Sequence, residues 1–421
     1  DVQYQTFDIT SYLTKTNQIT IELGNGWYKG HFGLDGKDKN FGSEFQTIAE
    51  IRIHYADQTE EIISTDETWN YYGSDTENSD IYNGEIINHE LWEGKENPKK
   101  KPAEGQIKGQ LIERYSLPVI EHEEMKVKEV IRTPAGETVL DFGQNFAGYV
   151  QFHSNLKKGT KVVLDFGEIL QNGNFYNDNY RSAKAQFIYV SGGKDEIVKP
   201  QFTYYGFRYV RVTGIEKEVN QSDFVGKALY STMDVTGHIE TGHQKVNQLF
   251  SNVFWGQRSN FIDFPTDCPQ RDERLGWTGD GQLFSGTACY NMYTAAFYNK
   301  FIHDLRVEQE KLDGIMPGVI PVFDPKMVSF AAVWGDIATF LPTVLYERYG
   351  DKFALESYYP MMKDWVDKIR KDDTARDGKE HFLFNFGMQF GDWVALDGRT
   401  PQSFKGGTDD YFISSCYYAM S

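Results

Sequence analysis

The sequence predicts β-sandwich modules followed by an all-helical region. Three observations carry this. Short alternating runs fill roughly the first 235 residues, separated by Gly and Asn turns. After about residue 240 the apolar period lengthens to i, i+3, i+4. Between two of these apolar helices lies a charged segment dense in Asp, Glu, Arg and Trp, with too many Pro and Gly to be a helix.

Alternation is clear in Val139–Phe142, Tyr149–His153, Lys161–Phe166, Phe187–Val190 and Phe207–Val212. Gly136, Gly143, Gly159, Asn172-Gly173 and Gly192-Gly193 supply the turns between them. The stretch Glu93–Gly109 holds five Lys, two Pro and no aliphatic residue apart from one Ala and one Ile. As a linker it divides the β half into a module over 1–110 and a second over 115–235.

In the helical half, Val246, Leu249, Phe250, Val253 and Phe254 form one amphipathic face. Phe284, Ala288, Cys289, Met292, Ala295 and Ala296 form another, which runs on toward Leu305. Further helices are predicted over Ala331–Tyr349, Phe353–Arg370 and Asp410–Met420. The third region is therefore 236–421.

At 421 residues the chain has room for two to four domains. Its formal net charge of −18 repels phosphate backbones and anionic lipid, which argues against nucleic-acid and membrane-surface roles. No apolar run reaches the ~18–20 residues of a membrane-spanning helix. Cys268, Cys289 and Cys416 are too few and too scattered for a disulfide framework or a zinc site, so no metal site is expected from them. Aromatic residues make up 15%, which suits sugar faces and β-sandwich cores alike. The absence of an initial Met, and an end inside an apolar stretch, suggest a piece of a longer chain; compartment and oligomeric state stay open.

The chemistry concentrates between Asp267 and Asp280. Fourteen residues hold Asp267, Asp272, Glu273 and Asp280, two Arg and Trp277. One reading is a solvated turn tied by Arg–carboxylate pairs. The other is a sugar site, where two carboxyl groups flank a glycosidic bond and one stays protonated as general acid. Glu273 is the candidate acid, with Asp272 and Asp280 placed to raise its pKa by like-charge repulsion. Trp277 offers a flat face to a sugar ring. Val333-Trp334-Gly335-Asp336 and Phe390-Gly391-Asp392-Trp393 repeat the Trp, Gly, Asp combination near helix ends. For each the alternative is a core Trp beside an Asp N-cap. A barrel of paired helices would bring all three loops to one mouth.

The run TDCPQRDERLGWTGD, followed by GIMPGVIPVF and WGDIATFLP, resembles the bacterial α-L-rhamnosidases of glycoside hydrolase family 78. Upstream, ITIELGNGWYKGHFG and TDETWNYYGSDTENSDIYNGEIINHE resemble that family's N-terminal β module. TVLDFGQNFAGYVQF and FTYYGFRYVRVTG resemble its second β module. The resemblance implies two β-sandwich modules followed by an (α/α)6 barrel, partial here, and inverting release of terminal α-L-rhamnose from glycans or plant glycosides. It casts Glu273 as general acid and Asp267, Trp277 and Asp280 as sugar contacts, with Trp334 and Trp393 as aromatic walls. It implies no required cofactor. Calcium and rhamnose binding in the N-terminal module would fall near Asn25 and Glu85, although Asn25-Gly26 also reads as a type I′ turn. The general base would be a Glu later in the barrel, beyond Ser421, so this stretch alone is expected to be inactive and its helical part marginally stable. In particular, the helix face carrying Phe412, Cys416 and Tyr417 is expected to lack partners. Two other classes fit less well. A non-catalytic glycan-binding protein has no need of a protonated acid, and a phosphorylase would want a basic phosphate site.

Overall fold

A computed structural model of the chain describes residues 2–34, 36–91, 100–106, 109–325 and 328–421. The proposed linker Glu93–Gly109 lies in large part outside the described residues. Contacts gather the chain into two units, and each is described by itself. One comprises residues 1–115, 124–227 and 270–272; the other comprises 116–123, 228–269 and 273–421.

The main sheet of the chain has as its principal strands β1 (Thr76–Asp80), β2 (Gly84–Asn88), β3 (Val119–Lys126), β4 (Thr138–Ser154), β5 (Lys161–Gly167), β6 (Gln186–Val190), β7 (Tyr205–Thr213) and β8 (Phe224–Ser231). Their spatial order is β1-β2-β6-β5-β7-β4-β8-β3. Strands β5, β6 and β7 pair antiparallel, while β6 meets β2 in parallel. Thus β1 and β2, from the first 110 residues, are built into the sheet that the second β stretch forms. The remaining strands of that first stretch are small pairs. Glu50–His54 runs beside Glu60–Ser64, and Val2–Tyr4 beside Leu111–Glu113.

Alternation in β4, β5, β6 and β7 puts Val139, Phe152, Leu164, Phe166, Phe187, Phe207 and Val210 inside, each 1% exposed or less. Phe166 stacks on Tyr205 with ring centroids 3.8 Å apart. Asn172-Gly173 makes the predicted tight turn, with φ +52° and +78°. Gly143 does not end a strand: it lies inside the 17-residue β4, at φ +74°. There β4 bulges, because the register to β7 jumps between the pairs Phe146–Phe207 and Asp141–Tyr209.

Asn25-Gly26 is not a type I′ turn. Asn25 has φ −62° and ψ −42°, and it precedes a one-turn helix over Gly26–Lys29. Its side-chain amide donates to the Ser79 carbonyl at 2.7 Å. Glu85 is 1% exposed, and its oxygens accept from the backbone N–H groups of Gln201 and Phe202 at 2.8–3.0 Å. Burial pushes the Glu85 carboxyl up to about 7.

The second unit is helical, with α1 (Gln244–Asn260), α2 (Thr278–Asn291), α3 (Ala295–Lys311), α4 (Ile337–Tyr349), α5 (Lys352–Ala375) and α6 (Asp410–Met420). Its core joins Phe297, Tyr298, Phe301 and Leu305 of α3 to Ile337, Leu341 and Leu345 of α4 and Met361, Trp365 and Ile369 of α5, all nearly inaccessible. The apolar period that runs from Phe284 toward Leu305 is cut at residues 292–294, where Met292 turns extended and Thr294 caps α3. On α1, Val246 and Leu249 are exposed. On α6, Tyr417 packs against Phe340 with centroids 5.7 Å apart, against the expectation that this face lacks partners, while Phe412 and Cys416 are exposed. No helix is long and apolar enough to cross a membrane among the described residues.

Candidate active site

The acid-rich segment is a compact loop between a two-residue hairpin, Phe261–Ile262 with Phe264–Pro265, and the start of α2. Asp267 closes it. Its backbone N–H donates to the Leu275 carbonyl at 3.0 Å, and its Oδ1 accepts the Leu275 N–H at 2.9 Å. Before the loop, Lys300 is buried and pairs with Asp263 at 2.9 Å and Asp304 at 2.8 Å. That pairing lets a charged group sit under the hairpin without leaving an uncompensated charge. After the loop, Gly276 and Trp277 pair with Ile320 and Val319.

Glu273 is 8% exposed. The Trp277 indole Nε1–H donates to its Oε1 at 3.0 Å, which fixes the carboxyl beside the indole. Asp267, Cys268 and Glu273 each offer one ligand-type atom, all within 4.8 Å of one another. Among the described residues they are the group that could hold a metal ion, and two of them are the paired carboxyls. Burial, and then the charge of Glu273, push the Asp267 carboxyl up to about 7. Asp280, in the first turn of α2, reaches solvent, yet protein surrounds it closely enough that burial raises its carboxyl too.

This corrects the expected electrostatics. Asp272 does not stand free to repel Glu273. Within the first unit its carboxylate accepts the Arg181 Nε–H at 2.7 Å and the Ser182 hydroxyl, and its carbonyl accepts Arg181 Nη2 at 2.8 Å. The Arg–carboxylate tie of the plain alternative therefore exists, but at Asp272. The carboxyl that is clearly raised to near-neutral pH is Asp267.

Trp334 lies against the same loop. A Cβ on Gly279 would fall 2.6–2.9 Å from its indole ring, so only Gly permits the approach. The indole is 8% exposed and meets Phe390 at a centroid distance of 4.2 Å. Phe390 meets Trp393 at 5.5 Å, and Trp393 stacks on Phe404 at 5.7 Å. Trp393, 43% exposed, is the accessible end of this aromatic row. The structure thus brings Asp267, Glu273, Trp277 and Asp280 together in one loop, sets Trp334 on it, and links Trp393 through Phe390.

Sequence reading missed Asp336 as an anchor. Its carboxylate is wholly buried, accepting the Trp365 indole N–H at 2.9 Å, the Val333 N–H at 2.7 Å and the Ser421 hydroxyl at 2.7 Å. Burial raises this carboxyl as well. The Val333 contact holds a β-branched residue at φ +68°, an unfavourable conformation that turns the chain just before Trp334. The available signal was the Gly335 beside it: a Cβ there would lie 2.2 Å from the Trp365 ring.

A β-rich portion leading into packed helices, with paired carboxyls and indoles in a helix-joining loop, is the class of protein that the fold and site define. Residues 234–421 match the model of the bacterial alpha-L-rhamnosidase 6 hairpin glycosidase domain. Residues 131–230 match the family's concanavalin-like domain, and 1–100 its N-terminal domain. The chain belongs to the bacterial α-L-rhamnosidase family. An α-L-rhamnosidase of Streptomyces avermitilis is 33% identical over the whole chain, which covers 40% of that relative. One from Alteromonas sp. is 31% identical, again over the whole chain, and 46% covered. The crystal structure of native α-L-rhamnosidase from Aspergillus terreus aligns with 94% of the chain at TM-score 0.87 and 33% identity, over 47% of its own length. The chain spans less than half the length of these relatives.

Proposed function

We propose that this protein releases terminal α-L-rhamnose from rhamnosylated glycans or plant glycosides by inverting hydrolysis, with Glu273 as general acid. The observation that carries the reading is the buried Glu273–Asp267 pair, oriented by the Trp277 indole N–H. Asp267 lies within 4.8 Å of Glu273, and burial and then the charge of Glu273 push the Asp267 carboxyl up to about 7. Trp277 occupies Oε1 of Glu273. Glu273 delivers its proton to the glycosidic oxygen, so the bond to the anomeric carbon breaks and the aglycone leaves as an alcohol. Asp267 and Asp280 hold sugar hydroxyls, and Trp277, Trp334 and Trp393 wall the ring. A water attacks the opposite face, activated by the carboxylate that the family resemblance assigns to a later Glu. A rhamnosidase complexed with L-rhamnose, from Streptomyces avermitilis, aligns with 99% of the chain at 31% identity, which supports the sugar class.

The test is Glu273→Gln in the complete protein. Turnover of a natural rhamnoside should fall ~10²–10⁴-fold, with a smaller loss on an activated aryl rhamnoside. Proton NMR of the first-formed sugar should show the β-anomer. A variant as fast as the unaltered protein on the natural glycoside refutes the acid assignment, and a first-formed α-anomer refutes inversion.

A further inference from the structure

The tip of the acid loop, Gln270–Asp272, belongs to the first unit, and there Asp272 is held by its backbone as well as by its side chain. Arg181 donates twice. Its Nε–H reaches Asp272 Oδ1 at 2.7 Å, and its Nη2–H reaches the Asp272 carbonyl at 2.8 Å. The Ser182 hydroxyl donates to Oδ2, and the Ser182 N–H approaches the same oxygen at 3.3 Å. Asp272 is buried, so its carboxylate depends on such donors for compensation. The donors are themselves anchored. Arg181 sits at φ +59°, directly after Tyr180, which is wholly buried and donates its hydroxyl to the Gly206 carbonyl of β7 at 2.5 Å.

The carbonyl that Arg181 holds is half of the peptide group whose nitrogen belongs to Glu273. That group is planar, so fixing its oxygen fixes the plane from which the Glu273 Cα departs. Two residues after Glu273 the loop is tied again, where Asp267 and Leu275 exchange two hydrogen bonds. Only Glu273 and Arg274 lie between the two ties. Arg274 is wholly buried at φ +49°, a region that few non-glycine residues occupy.

We infer that Arg181 is a positioning residue for the general acid: by holding Asp272 it sets the backbone from which Glu273 reaches the glycosidic oxygen. The inference rests on Glu273 being that acid. Arg181 acts along the chain, through the Asp272–Glu273 peptide bond. Its planar fork spans a carboxylate oxygen and a carbonyl oxygen at once; a lysine would bring the same charge as a single point. A displacement of about 1 Å at a reacting group lowers a rate by up to ~10²-fold, so a loosened peptide here is readable in turnover.

The complete protein carrying Arg181→Ala is assayed on two α-L-rhamnosides, one with a simple alcohol as leaving group and one with 2,4-dinitrophenolate. The alcohol must be protonated as it leaves, whereas dinitrophenolate leaves without a proton. A misplaced acid should therefore lower kcat about 10- to 100-fold on the first and less than about threefold on the second, with KM little changed on either. An equal loss on both substrates marks a general structural role and overturns the inference, as does an unchanged rate on the alcohol glycoside. If Arg181→Ala does not fold, Arg181→Lys, which keeps the charge beside Asp272 but not the fork, is read by the same pattern. Glu273→Gln, run alongside, separates the two claims. If it shows no dependence on the leaving group, the general-acid reading falls and the positioning role with it. If it shows that dependence and the Arg181 variant does not, only the positioning role falls.

Discussion

Replacing Asp267 by Asn should stabilise the helical unit at alkaline pH and do little at acid pH. The Asp267 carboxyl rises from 3.8 to about 7, first through burial and then through the charge of Glu273. A group whose folded pKa is raised contributes stability that is fully present below its unfolded pKa. That contribution is lost as pH rises through the folded value. Here the window runs from about pH 4 to pH 7, and the ionised form is the costly one above it. The rise corresponds to ~4 kcal/mol as an upper bound. Local relaxation and water entry reduce it, so roughly 2–4 kcal/mol is expected at pH 8.5. Asn keeps the carbonyl that accepts the Leu275 N–H, so the loop closure survives. At ~2–4 °C per kcal/mol for a unit of this size, the melting temperature should rise ~5–10 °C at pH 8.5 and stay nearly unchanged at pH 4.5. Thermal melts followed by circular dichroism at 222 nm, parent and variant side by side at both pH values, measure this. A variant that gains equally at both pH values, or loses stability at pH 8.5, refutes the claim that Asp267 is destabilised by burial beside Glu273.

Trp277→Phe keeps a flat apolar face but removes the N–H that orients Glu273, and should lower kcat/KM on an aryl rhamnoside about three- to ten-fold; a change under about twofold means that the hydrogen bond is not used. Asp336→Ala strands the buried Trp365 and Val333 N–H groups and should destabilise the helical unit by roughly 2–5 kcal/mol in urea unfolding, whereas Asp336→Asn should cost less. In the β-rich unit, His89 is held between Asp75 at 3.2 Å and Glu196 at 2.8 Å, and its hydrogen bond to Asp75 leads in raising it to about 9. Its contribution should be complete below about pH 6.5 and lost as pH passes 9, so His89→Gln should abolish that alkaline part of the melting profile. A profile identical to the parent's between pH 7 and pH 10 counts against the clamp.

What the sequence by itself determined follows from local rules. Period-two alternation marks β5 and β6 because successive side chains face opposite sides of a sheet, whatever lies beyond them. The boundaries of α6, Asp410–Met420, were readable because Asp409 caps it and the apolar spacing is helical throughout. The candidate active-site loop was legible as a density of carboxyl, Arg and Trp side chains that ordinary loops do not carry. Tertiary structure decided the rest. Gly143 reads as a turn, yet β4 bulges there against β7 and the strand continues. Asp272 and Glu273 are chemically alike and adjacent, but Arg181, distant in sequence, claims the first. Asp336 reads as a helix cap and is an anchor, because Trp365 from the next helix brings an N–H that needs an acceptor. Periodicity is a property of neighbours along the chain, whereas desolvation, ion pairing and the satisfaction of buried polar groups depend on neighbours in space, which only the folded chain supplies.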